Sequence, residues 1–576
     1  PGSLLPQKLI SCCLLSLLVF NKLKTETAAR LNRNNIQVNQ MSRSSYLKRF
    51  SFLSLQSRYL CSQHQWKQPS EGRDTGIRIY NCVARKQVPL ILSNDAYATW
   101  YTCGPTVYDF THIGHISCYV KLDIIQRILR HHFNVNLVTA MNITDIDDKI
   151  IQKSIESGKP WHELSRFYEN EFWSVLKQLN VQEPNIKVRV TENIPRIVEF
   201  ITRIIGKGSA YKGNDGSVYF AVNTCRNYGK LQKTNIDEDP EKPILGVEGK
   251  TAPADFALWK AQKCENEPAW PSPWGPGRPG WHIECSTLAS MIFGQQLDFH
   301  AGGLDLRFPH HENEEAQSCA YHGSEQWVNY WLHSGQLHVK GQSVKMSKSL
   351  KNTISVGAML ERYTADEFRL ACALSNYRNA MDYSDTLMET SRNTLKRLKS
   401  FKADCNAYLS GKKQGAQVEA SEMLGDLERA KNNIDACYKD DFDTSCSIGV
   451  LLEQANAVSR QINAGTAENE KLYTSSCLDA VAAVQNFVQQ QLQILGFSLV
   501  EESRAHVMGA ATEFDLEGLV EDLLQSRRLI RERAVAGKNK ELFQICDELR
   551  NCLRQHGIDI QDHNKGTSWQ FSGNKQ

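Results

Sequence analysis

The stretch ATWYTCGPTVYDFTHIGHISCYVKLDIIQRILRHHF, residues 98–133, holds two periodicities in one run. Residues 98–104 are rich in β-branched and aromatic side chains, which favours a strand. From Ile116 to Phe133 the apolar residues recur at helical spacing. Between the two lies a turn, with Gly104 and Pro105 ahead of THIGH at residues 111–115. The flanks repeat the pattern. IRIYNC (77–82) reads as a strand, VNLVTAMNITD (135–145) as another, and DDKIIQKSIESG (147–158) as a helix. Strand and helix in alternation imply a parallel sheet. The alternation breaks over about 165–275, where a helical piece, the strand-like SVYFAV (217–222) and the Pro- and Gly-rich PAWPSPWGPGRPGW (268–281) intervene, and it resumes at Trp281. Residues 165–275 therefore read as an insertion within one sheet domain.

The chain has 576 residues, enough for three or four units. Its 17 cysteines are spread singly, without the dense even spacing of a secreted disulfide scaffold, which favours a reducing compartment. The net charge of +3 divides unevenly: residues 1–70 hold ten Lys or Arg against Glu26 alone. Without them the remaining 57 basic and 63 acidic residues balance at −6, so global charge makes no case for nucleic acid. The first methionine is Met41, and from there to Ser70 there is no Asp or Glu, while Arg43, Lys48, Arg49 and Arg58 recur among serines and large apolar residues. That composition is a mitochondrial transit peptide's, with residues 1–40 lying upstream of the start. LISCCLLSLLVF (9–20) offers a secretory reading, but it is too short to span a bilayer. No transmembrane span is evident, and a leader of residues 1–75 is expected to be disordered.

Past residue 355 the pattern is helical, with basic clusters in RNTLKRLKSFK (392–402) and QSRRLIRERAVAGKNK (525–540). The last forty residues read as two helices followed by a hairpin of HGIDIQD and TSWQF.

Two short elements carry chemistry. In THIGH, backbone N–H groups at a helix start attract phosphate, Gly114 allows a nucleotide close approach, and His112 and His115 can donate to phosphate oxygens. In KMSKS, residues 345–349, Lys345 and Lys348 can neutralise charge on a leaving pyrophosphate. Soft ligands come from Cys103 and Cys285, and FPHHENEEAQS (308–318) adds two pairs at helical i, i+4 spacing, His310 with Glu314 and His311 with Glu315. Spacing alone leaves both pairs open. The acidic run Asp145, Asp147, Asp148 invites a magnesium site, but such runs commonly cap helices or pair with cations.

In this order, the HIGH and KMSKS elements resemble those of class I aminoacyl-tRNA synthetases. TCGPTVYDFTHIGH, MNITDIDDKI, GRPGWHIECS and FPHHENEEAQS narrow the resemblance to cysteinyl-tRNA synthetases, over about Ile77 to Trp569. The resemblance implies a Rossmann-type catalytic domain at 76–345 with an inserted connective domain. It also implies an all-α anticodon-binding region at 346–505, including the KMSKS loop, and a small C-terminal tRNA-binding domain at 506–576. ATP would lie against His112, Gly114, His115, Lys345, Met346, Ser347 and Lys348. One Zn²⁺ per chain would be held by Cys103, Cys285, His310 and Glu314, the family pattern selecting the first pair. Gly104, Thr144, Trp281 and His300 would line the cysteine pocket, and Mg²⁺ would arrive with ATP. The implied partners are tRNA(Cys), L-cysteine and ATP, with no membrane, in a monomer of the mitochondrial matrix. Zinc would select the substrate thiolate over serine's hydroxyl, so no editing domain is expected. A tRNA-independent cysteine ligase would need none of the roughly 200 residues after KMSKS, and a non-catalytic RNA-binding paralogue would not need HIGH and KMSKS intact.

Overall fold

The structure is a computed structural model and describes residues 65–232, 249–339, 353–411, 418–464, 475–498, 516–563 and 566–571. Strands β1 (Arg73–Asn81) and β2 (Lys86–Leu92) form an antiparallel ribbon. The deciding stretch then folds as read, with β3 (Ala98–Thr102) leading into α1 (Ile113–His131). β4 (Leu137–Ile143), α2 (Asp148–Ser157), α3 (Trp161–Gln178) and β5 (Ile186–Arg189) continue the alternation. Helix α4 (Ile194–Gly206) precedes four short antiparallel strands, β6 (Ala210–Lys212), β7 (Val218–Phe220), β8 (Phe256–Ala261) and β9 (Gly277–Pro279). Next come α5 (Trp281–Phe293), β10 (Leu297–Gly303), α6 (Glu312–His322) and β11 (Val328–Ser334).

The chain divides into two compact units. The first comprises the described residues up to Tyr108 with Val138–Ser165 and Pro184–His333. Its main sheet runs β11-β10-β3-β4-β5, with β10 parallel to β3 and β4 parallel to β5. From β3 the chain builds outward to β4 and β5, then returns to add β10 and β11 on the other side. Strand order thus reverses at β3, and in open α/β sheets ligands bind at the carboxyl ends beside such a reversal. Cys103 and Gly303 stand at those two ends. On α4, Ile194, Ile197, Ile201 and Ile204 form a helical stripe that packs with Val218, Leu258 and Trp259 of the small sheet and Ile283 and Leu288 of α5.

The second unit comprises Asp109–Leu137, Arg166–Glu183 and the described residues from Ser334. It adds β12 (Leu337–Val339), α7 (Val356–Leu360), α8 (Ala365–Ala373) and β13 (Met381–Tyr383). Four long helices follow, α9 (Asp385–Leu409), α10 (Ala420–Lys439), α11 (Thr444–Asn463) and α12 (Ser475–Ile494). A disulfide joins Cys437 to Cys446. Buried charge pins α1 into this unit: Asp123 of α1 accepts from Arg127 at 2.8 Å and from Arg369 of α8 at 2.7 Å. Arg369 also donates to the carbonyls of Leu179, Asn180 and Leu495. Such a pair persists in a low-dielectric interior only when its remaining donors are satisfied. Gly496 allows it, because at φ +83 it has a backbone other residues avoid, and a Cβ there would lie 2.7 Å from the Arg369 guanidinium. At the end, α13 (Leu516–Gly537), α14 (Lys540–Gln555) and the hairpin of β14 (Ile558–His563) and β15 (Gly566–Phe571) enclose Val520, Leu524, Leu553, Ile558 and Ile560.

Four expectations shift. The leader cannot be disordered through residue 75: the Trp66 indole N–H donates to the carbonyl of Asn329 at 2.9 Å, the Lys67 amide to Gln326 Oε1 at 2.9 Å, and β1 begins at Arg73. Residues 1–64, with the transit-peptide composition, lie outside the described residues. The interruption read over 165–275 is narrower, since β5 lies inside it and pairs with β4 of the main sheet. Among the described residues beyond Gly537, where α13 ends, there is one helix, α14, in place of the two expected. Finally, the helical spacing read over 308–318 is only partly a helix's: α6 starts at Glu312, and His310 and His311 belong to a wide turn at Arg307–His311. Among the described residues no helix is long and apolar enough to cross a membrane.

Candidate active site

The first unit gathers Cys103, Cys285, His310 and Glu314 into one buried cluster, none more than 4 % exposed. Each comes from a different place. Cys103 follows β3, where its amide donates to Ala301 of β10 at 3.1 Å; Cys285 sits in α5; His310 lies in the turn before α6, and Glu314 in that helix. The two sulfurs are 3.6 Å apart, Cys103 Sγ is 3.4 Å from Glu314 Oε1, and that oxygen is 3.0 Å from His310 Nε2. Zinc with sulfur at about 2.3 Å and nitrogen or oxygen near 2.1 Å would give tetrahedral edges of roughly 3.8 Å for S···S and 3.4 Å for N···O. The donor set and its spacing fit such an ion. Burial pushes the Cys103 thiol and the Glu314 carboxyl up, Cys285 up to about 11, and His310 well down. Burial thus disfavours the charged form of each of the four, and a bound cation is what would favour their deprotonated, ligating forms.

The alternative pair separates in space. Glu315 turns away to Lys230, whose ammonium lies 2.6 Å from Oε1, and accepts the amides of Trp327 and Val328. His311 does face the cluster, with Nε2 3.4 Å from Cys103 Sγ. A second set of candidate ligands, Cys103, His300, His311 and Glu314, is as close-knit as the first.

The expected cysteine pocket is partly structural. Gly104 is required by β4: a Cβ there would sit 1.6 Å from the Asn142 carbonyl oxygen. The Thr144 hydroxyl donates to Glu284 Oε2 at 3.0 Å, and His300 Nε2 lies 2.8 Å from Glu314 Oε2. Trp281 is 39 % exposed and stacks on His310 with centroids 4.1 Å apart, the placement of a wall rather than a core residue. Three neighbours escaped the sequence reading. Asn142 Oδ1 accepts the Gly104 amide at 2.9 Å and lies 3.6 Å from Cys285 Sγ; His282 meets His310 Nδ1 at 2.9 Å, and His333 meets His311 Nδ1 at 2.8 Å. For Asn142 the signal was its place in MNITDIDDKI and for His282 its place in GRPGWHIECS; for His333 there was none. The acidic run is occupied as caps and pairs: Asp145 holds Thr191, Asp147 caps α2 and Asp148 pairs with Lys260 and Arg278.

In the second unit His112 is the extended residue before α1, at φ −117 and ψ 159, and the first turn carries no acidic residue. The imidazoles of buried His112 and exposed His115 stack with centroids 3.8 Å apart. One backbone donor is already taken, since the Ile113 amide bonds the Ile354 carbonyl at 3.0 Å and His112 bridges Ser355. The Thr111 hydroxyl, donating to Glu171 at 2.7 Å, fixes the approach to this turn. Lys345, Met346, Ser347 and Lys348 lie outside the described residues.

The chain is similar in sequence and in fold to known proteins. The model for the class I (C) tRNA synthetase catalytic domain matches residues 91–393. A protein named probable mitochondrial cysteine–tRNA ligase, from Xenopus tropicalis, is 40 % identical over 537 residues, covering 89 % of this chain and 92 % of its own. The chain belongs to the cysteine–tRNA ligase family. Within that family, a cytoplasmic cysteine–tRNA ligase of Dictyostelium discoideum is 37 % identical, over 88 % of this chain and 79 % of its own. The class I fold extends to more distant proteins: Mycobacterium tuberculosis methionyl-tRNA synthetase in complex with methionyl-adenylate superposes with a TM-score of 0.52 at 15 % identity, covering 69 % of this chain and 91 % of that one.

Proposed function

We propose that this chain joins L-cysteine to tRNA(Cys) in two steps through cysteinyl-adenylate, and that Cys103, Cys285, His310 and Glu314 hold a zinc ion that selects the amino acid. The observation that carries the reading is that buried S, S, N, O set at tetrahedral spacing in a chain of this family. Bound there, zinc would supply a Lewis acid that takes a thiolate in preference to an alcohol. His282 holds the far nitrogen of His310, so its Nε2 is the one presented. Trp281, stacked on His310, and Thr144 would line the cysteine pocket beside it, and His300 holds the second oxygen of Glu314.

In the first step a carboxylate oxygen of cysteine attacks the α-phosphorus of ATP in line. The bond to the bridging oxygen breaks, and pyrophosphate leaves with its Mg²⁺. No protein nucleophile takes part; His112, His115, Lys345 and Lys348 hold the triphosphate and offset the charge that develops. In the second step a terminal ribose hydroxyl of the tRNA displaces AMP. The helices from α9 onward, with the hairpin, would meet the tRNA by backbone electrostatics and stacking. Mitochondrial use is supported by the acid-free composition of residues 41–64 and by the name of the Xenopus relative.

The test is cysteine-dependent exchange of pyrophosphate into ATP, with serine as control, followed by charging of mitochondrial tRNA(Cys). Exchange with cysteine alone and charging of that tRNA are expected. Exchange without charging would favour a tRNA-independent ligase, and neither would favour a binding paralogue. For targeting, a reporter fused to residues 41–64 should enter mitochondria while the chain from Gln65 stays in the cytosol. Import of the shortened chain would defeat the assignment.

A further inference from the structure

We propose that Cys103, His300, His311 and Glu314 form a second metal position beside the first, taking a further zinc ion through a shared thiolate and a shared carboxylate. This rests on the zinc reading of the first position. The two sets have Cys103 and Glu314 in common, and within each set all ligand atoms lie within 4.8 Å of one another. Glu314 is divided between them: Oε1 faces His310 at 3.0 Å, and Oε2 faces His300 at 2.8 Å. Cys103 is likewise two-sided, with Cys285 Sγ at 3.6 Å and His311 Nε2 at 3.4 Å. A carboxylate and a thiolate can each bridge two ions, and two-metal sites commonly place them about 3.5–4 Å apart.

Of the two imidazoles left over from the first set, that of His311 is held as metal ligands are, and that of His300 is fixed by packing, its Nδ1 having no hydrogen-bond partner among the described residues. His311 has its far nitrogen on His333 at 2.8 Å, which leaves Nε2 toward Cys103. His300 is stacked on Trp331 with centroids 4.5 Å apart and is fully buried. At the end of β10, Gly302 keeps the space for the His311 ring, since a Cβ there would lie 2.9 Å from its Cε1. One thiolate, two imidazoles and one carboxylate suit zinc but are less soft than the first set, and two cations sharing ligands repel each other. The second ion is therefore the weaker.

The experiment counts zinc on the full chain in metal buffers, by elemental analysis and native mass spectrometry. Wild type should bind one equivalent tightly and a second at micromolar free zinc. His311→Gln should keep the first and lose the second. His333→Phe, which removes only the partner behind His311, should weaken the second by about tenfold or more. A wild-type count that stays at one at saturating zinc, or a second equivalent unchanged in both variants, overturns the proposal. Cys285→Ser separates the two readings: it should lose the tight equivalent and retain the weak one. A tight equivalent absent from wild type, or untouched by Cys285→Ser, would instead sink the first-position assignment.

Discussion

Cys103→Ser is expected to lose tightly bound zinc and cysteine-dependent pyrophosphate exchange together while the chain stays folded. Serine keeps the shape of the side chain but offers an alcohol, a poor zinc ligand at neutral pH. The backbone here does not depend on sulfur, because the Cys103 amide is held by Ala301 and the surrounding core includes Tyr101, Ala140, Ala289 and Trp327. The melting temperature should fall by only a few degrees, as for a loss of about 1 kcal/mol. Exchange should drop by more than about a hundredfold, beyond the loss typical of a residue that merely supports a ligand. Glu315→Gln gives the opposite pattern. It leaves the buried Lys230 ammonium without its charge partner, a defect of about 3 kcal/mol or more, yet should leave zinc content unchanged. Zinc content measured on both variants beside their melting curves decides the matter, and zinc and exchange that survive Cys103→Ser would refute the site.

How much of this was legible depends on distance along the chain. The βα junction at 98–133 was readable because strand, turn and helix are local patterns, and β3 and α1 fall where those patterns place them. The choice between His310 with Glu314 and His311 with Glu315 was not, since both pairs have the same spacing. Packing separates the two glutamates, through Lys230, whose ammonium draws Glu315 away from the cluster across 85 positions, while His310 and His311 both face it. The leader boundary was hidden in the same way, because acid-free composition runs on through Trp66 and Lys67 while their partners, Asn329 and Gln326, lie some 260 residues downstream. Gly104 was read as a turn residue and as part of the cysteine pocket; the close approach of β4 to it was invisible, because Asn142 lies 38 positions away.

Lys348→Ala is expected to slow adenylate formation by about two orders of magnitude or more while leaving the affinity for cysteine nearly unchanged. The geometry at the start of α1 argues for so large an effect. An open helix terminus offers several backbone donors to phosphate, but here the Ile113 amide is spent on Ile354, and His112 is tied to Ser355. Side chains must then supply much of the positive charge that a departing pyrophosphate requires. His115 is exposed, stacked on His112, and offers a ring N–H donor. Lys345 and Lys348 are the permanent cations of the motif, and a contact made mainly as charge develops lowers the rate constant without raising the KM for the amino acid. Pre-steady-state adenylation with cysteine and ATP varied separately distinguishes the outcomes. A fall in rate at saturating ATP with an unaltered cysteine KM supports the role. An unchanged rate, or a change confined to the cysteine KM, would place the charge stabilisation elsewhere.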